Sequence, residues 1–205
     1  MGRKVRRAAG MLIVAVLFVG LSGSAYAAHS DRGCHRCHVV HHAAKPTDED
    51  ASWGVPLWST DYTADGLPTF TLYSSPTLNA VPSQPDGASK LCLGCHDGSY
   101  SYFSTHMDST KIFHPEDLAT SHPISFEYTD ALATADKRLN PPSTTLSGTA
   151  RGGTIATDLL DDHNKMQCSS CHDVHTSGIG DFMLRWGYDV AAHTDNVMCR
   201  ICHMK

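Results

Sequence analysis

The sequence predicts a mostly irregular fold with short α-helices, gathered into one domain around a core that the chain does not supply alone. Two observations lead there. The stretches TLYSSPTLNAVPSQPDGAS (Thr71 to Ser89) and NPPSTTLSGTARGGT (Asn140 to Thr154) are rich in Ser, Thr, Pro and Gly and carry no sustained 3.6-residue apolar period. All eight cysteines fall in four C-x-x-C pairs, each followed at once by histidine.

The N-terminal segment is expected to lie outside the domain. Met1 to Arg7 carries Arg3, Lys4, Arg6 and Arg7; Met11 to Leu21 is a short apolar run; Ala25-Tyr26-Ala27 closes the segment. A positive start, an apolar stretch and an A-x-A site make a secretory signal peptide, residues 1–27. A retained membrane anchor would need about 20 apolar residues, more than this run offers. No cysteine stands at the cleavage site, which argues against a lipoprotein. The exported domain is then 28–205, without a membrane anchor.

That domain keeps 12 of the 16 Lys+Arg and all 21 Asp+Glu, a net charge of −9. Such an acidic balance argues against nucleic acid or an anionic membrane as partner. It suits other redox proteins or extracellular acceptors such as metal oxides.

Export normally sends cysteines into disulfides. Here they stand as Cys34/Cys37, Cys92/Cys95, Cys168/Cys171 and Cys199/Cys202, followed by His38, His96, His172 and His203. C-x-x-C-H is the attachment signature of c-type haem. One helical turn brings both thiols to the same edge of the macrocycle, where they add to its vinyl groups, and the next residue sets its imidazole on the iron. With 14 histidines in 205 residues, four C-x-x-C pairs would all gain His by chance roughly 2 times in 100,000. Zinc accepts C-x-x-C pairs but has no use for four histidines at one offset. A thioredoxin-like site needs one such pair beside a βαβ pattern. The expectation is four covalent haem c groups, with porphyrin as much of the core and one irregular, haem-cored domain around it. The motifs are spaced unevenly, and no repeat beyond the motif itself is visible.

A haem iron with one histidine is reactive if its second face is open and an electron carrier if that face is filled. Ten histidines lie outside the motifs: His29, His35, His41, His42, His106, His114, His122, His163, His175 and His193. Four suffice to close every site. Met107, Met166, Met183 and Met198 could ligate, but a scattered Met is more often packing.

His41 and His175 each stand three residues after a motif histidine. If the motif turn continues as helix, i and i+3 share one face, and neither can reach behind the haem its neighbour holds. Each then addresses a second haem lying against the first. His42 is the spare beside His41; His35, between two cysteines, reads as solvated. His122 precedes Pro123, which stiffens an extended approach. His29, His163, His193, His114 and His106 compete for the fourth place, and His29 is chosen. The distal set is therefore His41, His122, His175 and His29.

HSDRGCHRCHVVHH (His29 to His42) resembles the start of the extracellular multihaem cytochromes of metal-reducing bacteria, which polymerise into conductive filaments. LCLGCHDGS, SHPISFEY, CSSCHDVH with FMLRW after it, and CRICHMK are similar to the wider family of secreted cytochromes with paired C-x-x-C-H motifs. The resemblance implies bis-His haems stacked in a continuous chain with little regular secondary structure. It also implies that the position of His41 ligates a haem in the adjoining subunit of a head-to-tail homo-oligomer. The doubled His41-His42 departs from the family's single histidine. The fourth-motif haem, followed by only Met204 and Lys205, is the expected target.

Electron transfer through four bis-His haems, as an extracellular filament subunit, is thus the leading expectation. A soluble periplasmic shuttle is the first alternative. The second is an enzyme reducing a nitrogen or sulfur oxyanion at a five-coordinate haem. Such enzymes gather the anion with basic residues, and the stretches around these motifs are not basic. A membrane-anchored quinol dehydrogenase would require the N-terminal run to persist as a span.

Overall fold

The computed structural model describes residues 29, 34, 37, 38, 41, 67–98, 112–146, 152–176, 183–185 and 197–204. The expected signal peptide lies outside them, as do His35, His42, His106 and His193. Among the described residues no helix is long and apolar enough to cross a membrane.

The described chain is mostly loop, with five short helices and one two-stranded sheet. In order these are α1 (Gly87–His96), a 3-10 turn (Asp117–Ala119), β1 (Phe126–Glu127), α2 (Asp130–Asp136), α3 (Ile155–Asp158), β2 (Lys165–Met166), α4 (Cys168–Cys171) and α5 (Val197–Cys202). The strands run antiparallel, with Phe126 opposite Met166 and Glu127 opposite Lys165.

Local chemistry explains the breaks. α2 begins where the Thr129 hydroxyl accepts the Leu132 N–H at 3.1 Å, and stops at Lys137 in the left-handed region, φ 62°. α3 is opened by Thr154 and Thr157, which cap each other reciprocally. α1 ends at Asp97, followed by Gly98 at φ 79°, where a Cβ would meet Ile112 Cγ2 at 2.9 Å. Only glycine fits that turn.

Two small apolar clusters hold the chain. Phe126, Tyr128, Leu132, Leu146, Ile155, Leu159 and Met166 form the larger, with Ile201 and Cys202 of α5 packed on it. Phe70, Leu93 and Leu118 form the other, with Phe113 and Ile124 against it. Between the strands' cluster and α1 lies a buried polar hub. The Gln167 side chain accepts from Ser89 Oγ at 2.5 Å and Ser125 Oγ at 3.2 Å. It donates to Asp86 and to Asp161, both at 2.8 Å. Ser89 Oγ also accepts the Cys168 N–H at 2.9 Å, and Lys165 forms an ion pair with Asp86. The hub fastens α1 to α4, which carry the second and third motifs. No buried side-chain polar atom among the described residues lacks a partner, as a hub in low dielectric requires.

Candidate cofactor-attachment and metal centre

Each C-x-x-C-H motif winds as its spacing predicts. The second closes α1, the third begins at the first residue of α4, and the fourth ends α5. Cys34 lies in a 3-10 turn, and the His38 N–H donates to Cys34 O at 2.8 Å. The same bond from His to the first cysteine recurs at 3.0 Å in the third motif and 2.8 Å in the fourth. A single turn therefore brings each cysteine pair and its histidine onto a common structural unit.

None of the eight cysteines is bridged. Burial pushes Cys95 and Cys171 up to about 12 and Cys202 up to about 11; burial and the neighbouring Cys34 raise Cys37. Cys92 and Cys168 share a hydrogen bond, which raises Cys92 and lowers Cys168. Most of these thiols are thus held protonated, and thiolate, the species that forms and exchanges disulfides, is scarce. The thiols near enough to influence one another form a series. Cys37 acts on Cys92 and Cys95, Cys92 pairs with Cys168, and Cys199 and Cys202 act on Cys171. The first motif neighbours the second, the second the third, and the third the fourth.

The histidines meet in twos. His38 and His175 have ring centroids 6.1 Å apart at an interplanar angle of 23°. His29 and His96 stand 6.1 Å apart at 39°, and His122 and His203 6.3 Å apart at 79°. Each pair joins one motif histidine to one histidine of the expected distal set, and none is used twice. An iron midway, with nitrogens about 2.0 Å away on either side, would set two imidazole centroids roughly 6.3 Å apart. Among the described residues no three or more His, Cys, Asp or Glu side chains converge on one point. Each pair offers two imidazole donors, and a haem would supply the remaining donors from its own ring. The residues fit the group.

Two imidazoles of the expected distal set also have a partner at Nδ1. His122 Nδ1 lies 2.9 Å from Pro123 O, and His29 Nδ1 lies 3.1 Å from Met183 Sδ. With Nδ1 donating, Nε2 is the ring nitrogen that would face a metal.

The elements that place these residues are mixed. His122 lies in irregular chain between the 3-10 turn and β1; Phe126, Glu127 and Tyr128 then alternate buried, exposed, buried. α5 is docked by Asn140, whose side chain donates to Ile201 O at 2.8 Å and whose N–H donates to Cys202 O at 2.7 Å. Tyr128 Oη closes that clasp on Asn140 O at 2.7 Å.

The third motif departs from expectation. Its turn does not continue as helix: His172 is extended, φ −108° and ψ 136°, and bridges Leu184. The Asp173 N–H donates to Met183 O at 2.9 Å, and the Asp173 carboxylate accepts from the His175 and Thr176 backbone. This Asx turn, rather than an i,i+3 helical face, carries His175 away from His172. His175 nonetheless stands opposite a different motif's histidine, the relationship expected of it.

His41 is exposed. His122 stands opposite His203, so the fourth motif, the expected target of His41, has a facing imidazole in its own chain. His114 and His163 are exposed turn residues whose backbone N–H groups bond to Asp117 and Asp161. The polar hub and the place of Met183 beside His29 were not anticipated. A Gln directly before a C-x-x-C pair was the available signal for the hub.

No family model matches the chain, and no curated protein or solved structure matches it.

Proposed function

We propose that the chain is an electron-transfer protein carrying four covalent haem c groups. The observation that carries this reading is the three histidine pairs, each joining a C-x-x-C-H histidine to a non-motif histidine at the spacing of two imidazoles on one iron. Cys34/Cys37, Cys92/Cys95, Cys168/Cys171 and Cys199/Cys202 would hold the groups, with His38, His96, His172 and His203 on one face. His175 serves the first motif, His29 the second and His122 the fourth.

Haem iron closed on both faces supplies a one-electron couple without an open site for substrate. The chain's part is to fill those faces, exclude water and keep neighbouring motifs close. The series of interacting thiols, from first motif to fourth, supports a continuous order of sites along the chain. Matching the four distal candidates one to one with the four motifs assigns His41 to the third-motif site, in its own chain or in an adjoining subunit. We take the adjoining subunit, and with it an extracellular head-to-tail filament reached through the secretory signal, as the biological form. The family resemblance of the N-terminal stretch and the exposure of His41 support it.

Intact mass tests the cofactor. The signal-cleaved protein should exceed its polypeptide mass by four haems, and Cys171→Ala should remove or destabilise only one. A lower count in the unmodified protein would sink the reading. Spectra of the intact protein should show low-spin iron only; high-spin ferric signal or immediate carbon monoxide binding after reduction would favour the oxyanion-reducing enzyme instead.

A further inference from the structure

His29 and His122 are both expected distal ligands, but their Nδ1 partners differ in kind. His122 faces a carbonyl oxygen at 2.9 Å. His29 faces the thioether of Met183 at 3.1 Å, across 154 residues of sequence. Sulfur of a thioether is a weak acceptor and a carbonyl a good one.

Backbone bonds fix the position of Met183. It is one of four described non-glycine residues at positive φ, 57°, in a region such residues rarely enter. The neighbouring bonds over-determine it. Its carbonyl accepts from the Asp173 N–H at 2.9 Å, Leu184 bridges His172, and the Arg185 N–H donates to Cys171 O at 2.9 Å. Arg185 Nε donates to Ser169 O at 2.8 Å, and its guanidinium faces Asp173 at 3.7 Å. Segment 183–185 is thus clamped onto the third motif, and its sulfur is delivered to the distal histidine of the second. A left-handed residue persisting inside such a clamp is the kind of local strain that functional constraint maintains.

We propose that Met183 is a positioning residue for His29. Its thioether accepts from Nδ1 and holds the imidazole with its ring centroid 6.1 Å from that of His96. As a weak acceptor it leaves that imidazole less basic than a carbonyl partner would. The less basic ligand stabilises the ferric state less, so the second-motif haem takes a higher potential than it would with a carbonyl partner.

The inference rests on the haem reading, so the test uses purified protein whose mass already shows four haems. Met183→Leu conserves volume and removes the acceptor; Met183→Gln restores an acceptor and makes it a carbonyl. Spin state is followed by electron paramagnetic resonance and the four midpoints by redox titration. In Met183→Leu one of four ferric signals should turn high-spin or change its anisotropy, with the other three unmoved. Met183→Gln should stay fully low-spin while one midpoint moves negative. If Met183→Leu matches wild type in spectrum and in all four midpoints, Met183 is packing and the proposal fails. Unmoved midpoints in Met183→Gln overturn it equally, and that variant remains informative if the Leu variant does not load haem. A mass short of four haems in the wild type would instead strike the haem reading itself.

Discussion

His175 stands over His38, ring centroids 6.1 Å apart, although 137 residues separate them and His175 sits three places after the histidine of another motif. One loop thus serves two motifs. His172 belongs to the third motif and His175 faces the histidine of the first, so the two motifs are joined through three residues of chain. On the proposed haem reading this short link would hold the first and third haems near each other.

Replacing His175 with Ala should therefore leave four haems attached while opening the iron of the first motif only. The expected result is one high-spin iron in four and carbon monoxide binding to one quarter of the reduced haem. Retention of an all-low-spin spectrum would mean that His175 is not the ligand. The Asp173 turn that aims His175 offers a milder test. Asp173→Ala frees the His175 and Thr176 N–H groups and should loosen the same site without emptying it, visible as a mixed-spin first haem.

The turn that shapes each C-x-x-C-H motif was legible because it is written locally. Four cysteine pairs, their histidines, and the turn that shapes each motif depend on residues within five positions of one another. The course of His175 was not legible from its distance to His172, because the Asp173 turn replaces the expected helix there. The pairing of distal to motif histidines was not legible, because nothing local ties His29 to His96 or His122 to His203. The hub was hidden for a related reason. Asp86, Ser89, Ser125 and Gln167 each read as loop or cap residues, and Asp86, an N-cap in position, makes no side-chain cap bond. Its carboxylate is engaged by Lys165 and Gln167 instead. Small apolar clusters scattered through Ser- and Thr-rich chain gave no period to read.

Gln167 is 1% exposed and uses its amide in four hydrogen bonds. Gln167→Leu keeps comparable bulk but takes one hydrogen-bond partner from each of Ser89, Ser125, Asp86 and Asp161. The cost is roughly 1–3 kcal/mol for each polar group left unsatisfied after relaxation. Since the hub joins α1 to α4, the loss should appear as a lower melting temperature with four haems still bound. A variant melting with the wild type would show that the hub contributes nothing net.

Acid should attack the same hub. Burial raises the Asp86 carboxyl, but hydrogen bonds from Lys165 and Gln167 together outweigh it and hold the group below its ordinary value. A carboxylate lowered in the folded state stabilises above its unfolded pKa of about 3.9 and loses that contribution as pH falls through the folded value. Lys165 is raised by its bond to Asp86, so its contribution is present below its unfolded pKa and fades only in alkali. Melting temperature should drop on acidification from about pH 5 downward, and Asp86→Asn should start lower at neutral pH and fall less. Equal acid slopes in both proteins would remove Asp86 from the account.

His41 is exposed three residues beyond His38, while His175, His29 and His122 already face the first, second and fourth motifs. On the filament reading His41 crosses to a haem of the adjoining subunit. A coordinate bond made in one direction between identical chains is a heterologous contact, and such contacts build an open filament when they do not close into a ring. His41→Ala should then keep four haems per chain, abolish filaments in negative-stain micrographs, and expose one high-spin iron. His42 stands next in sequence and could take the same role. If His41→Ala assembles normally with every iron low-spin, the variant lacking both histidines decides between substitution by His42 and a ligand from within the chain. Filaments from that double variant would end the inter-subunit bond as the basis of assembly. Their loss, with monomers that still carry four haems, would place the bond in this short stretch.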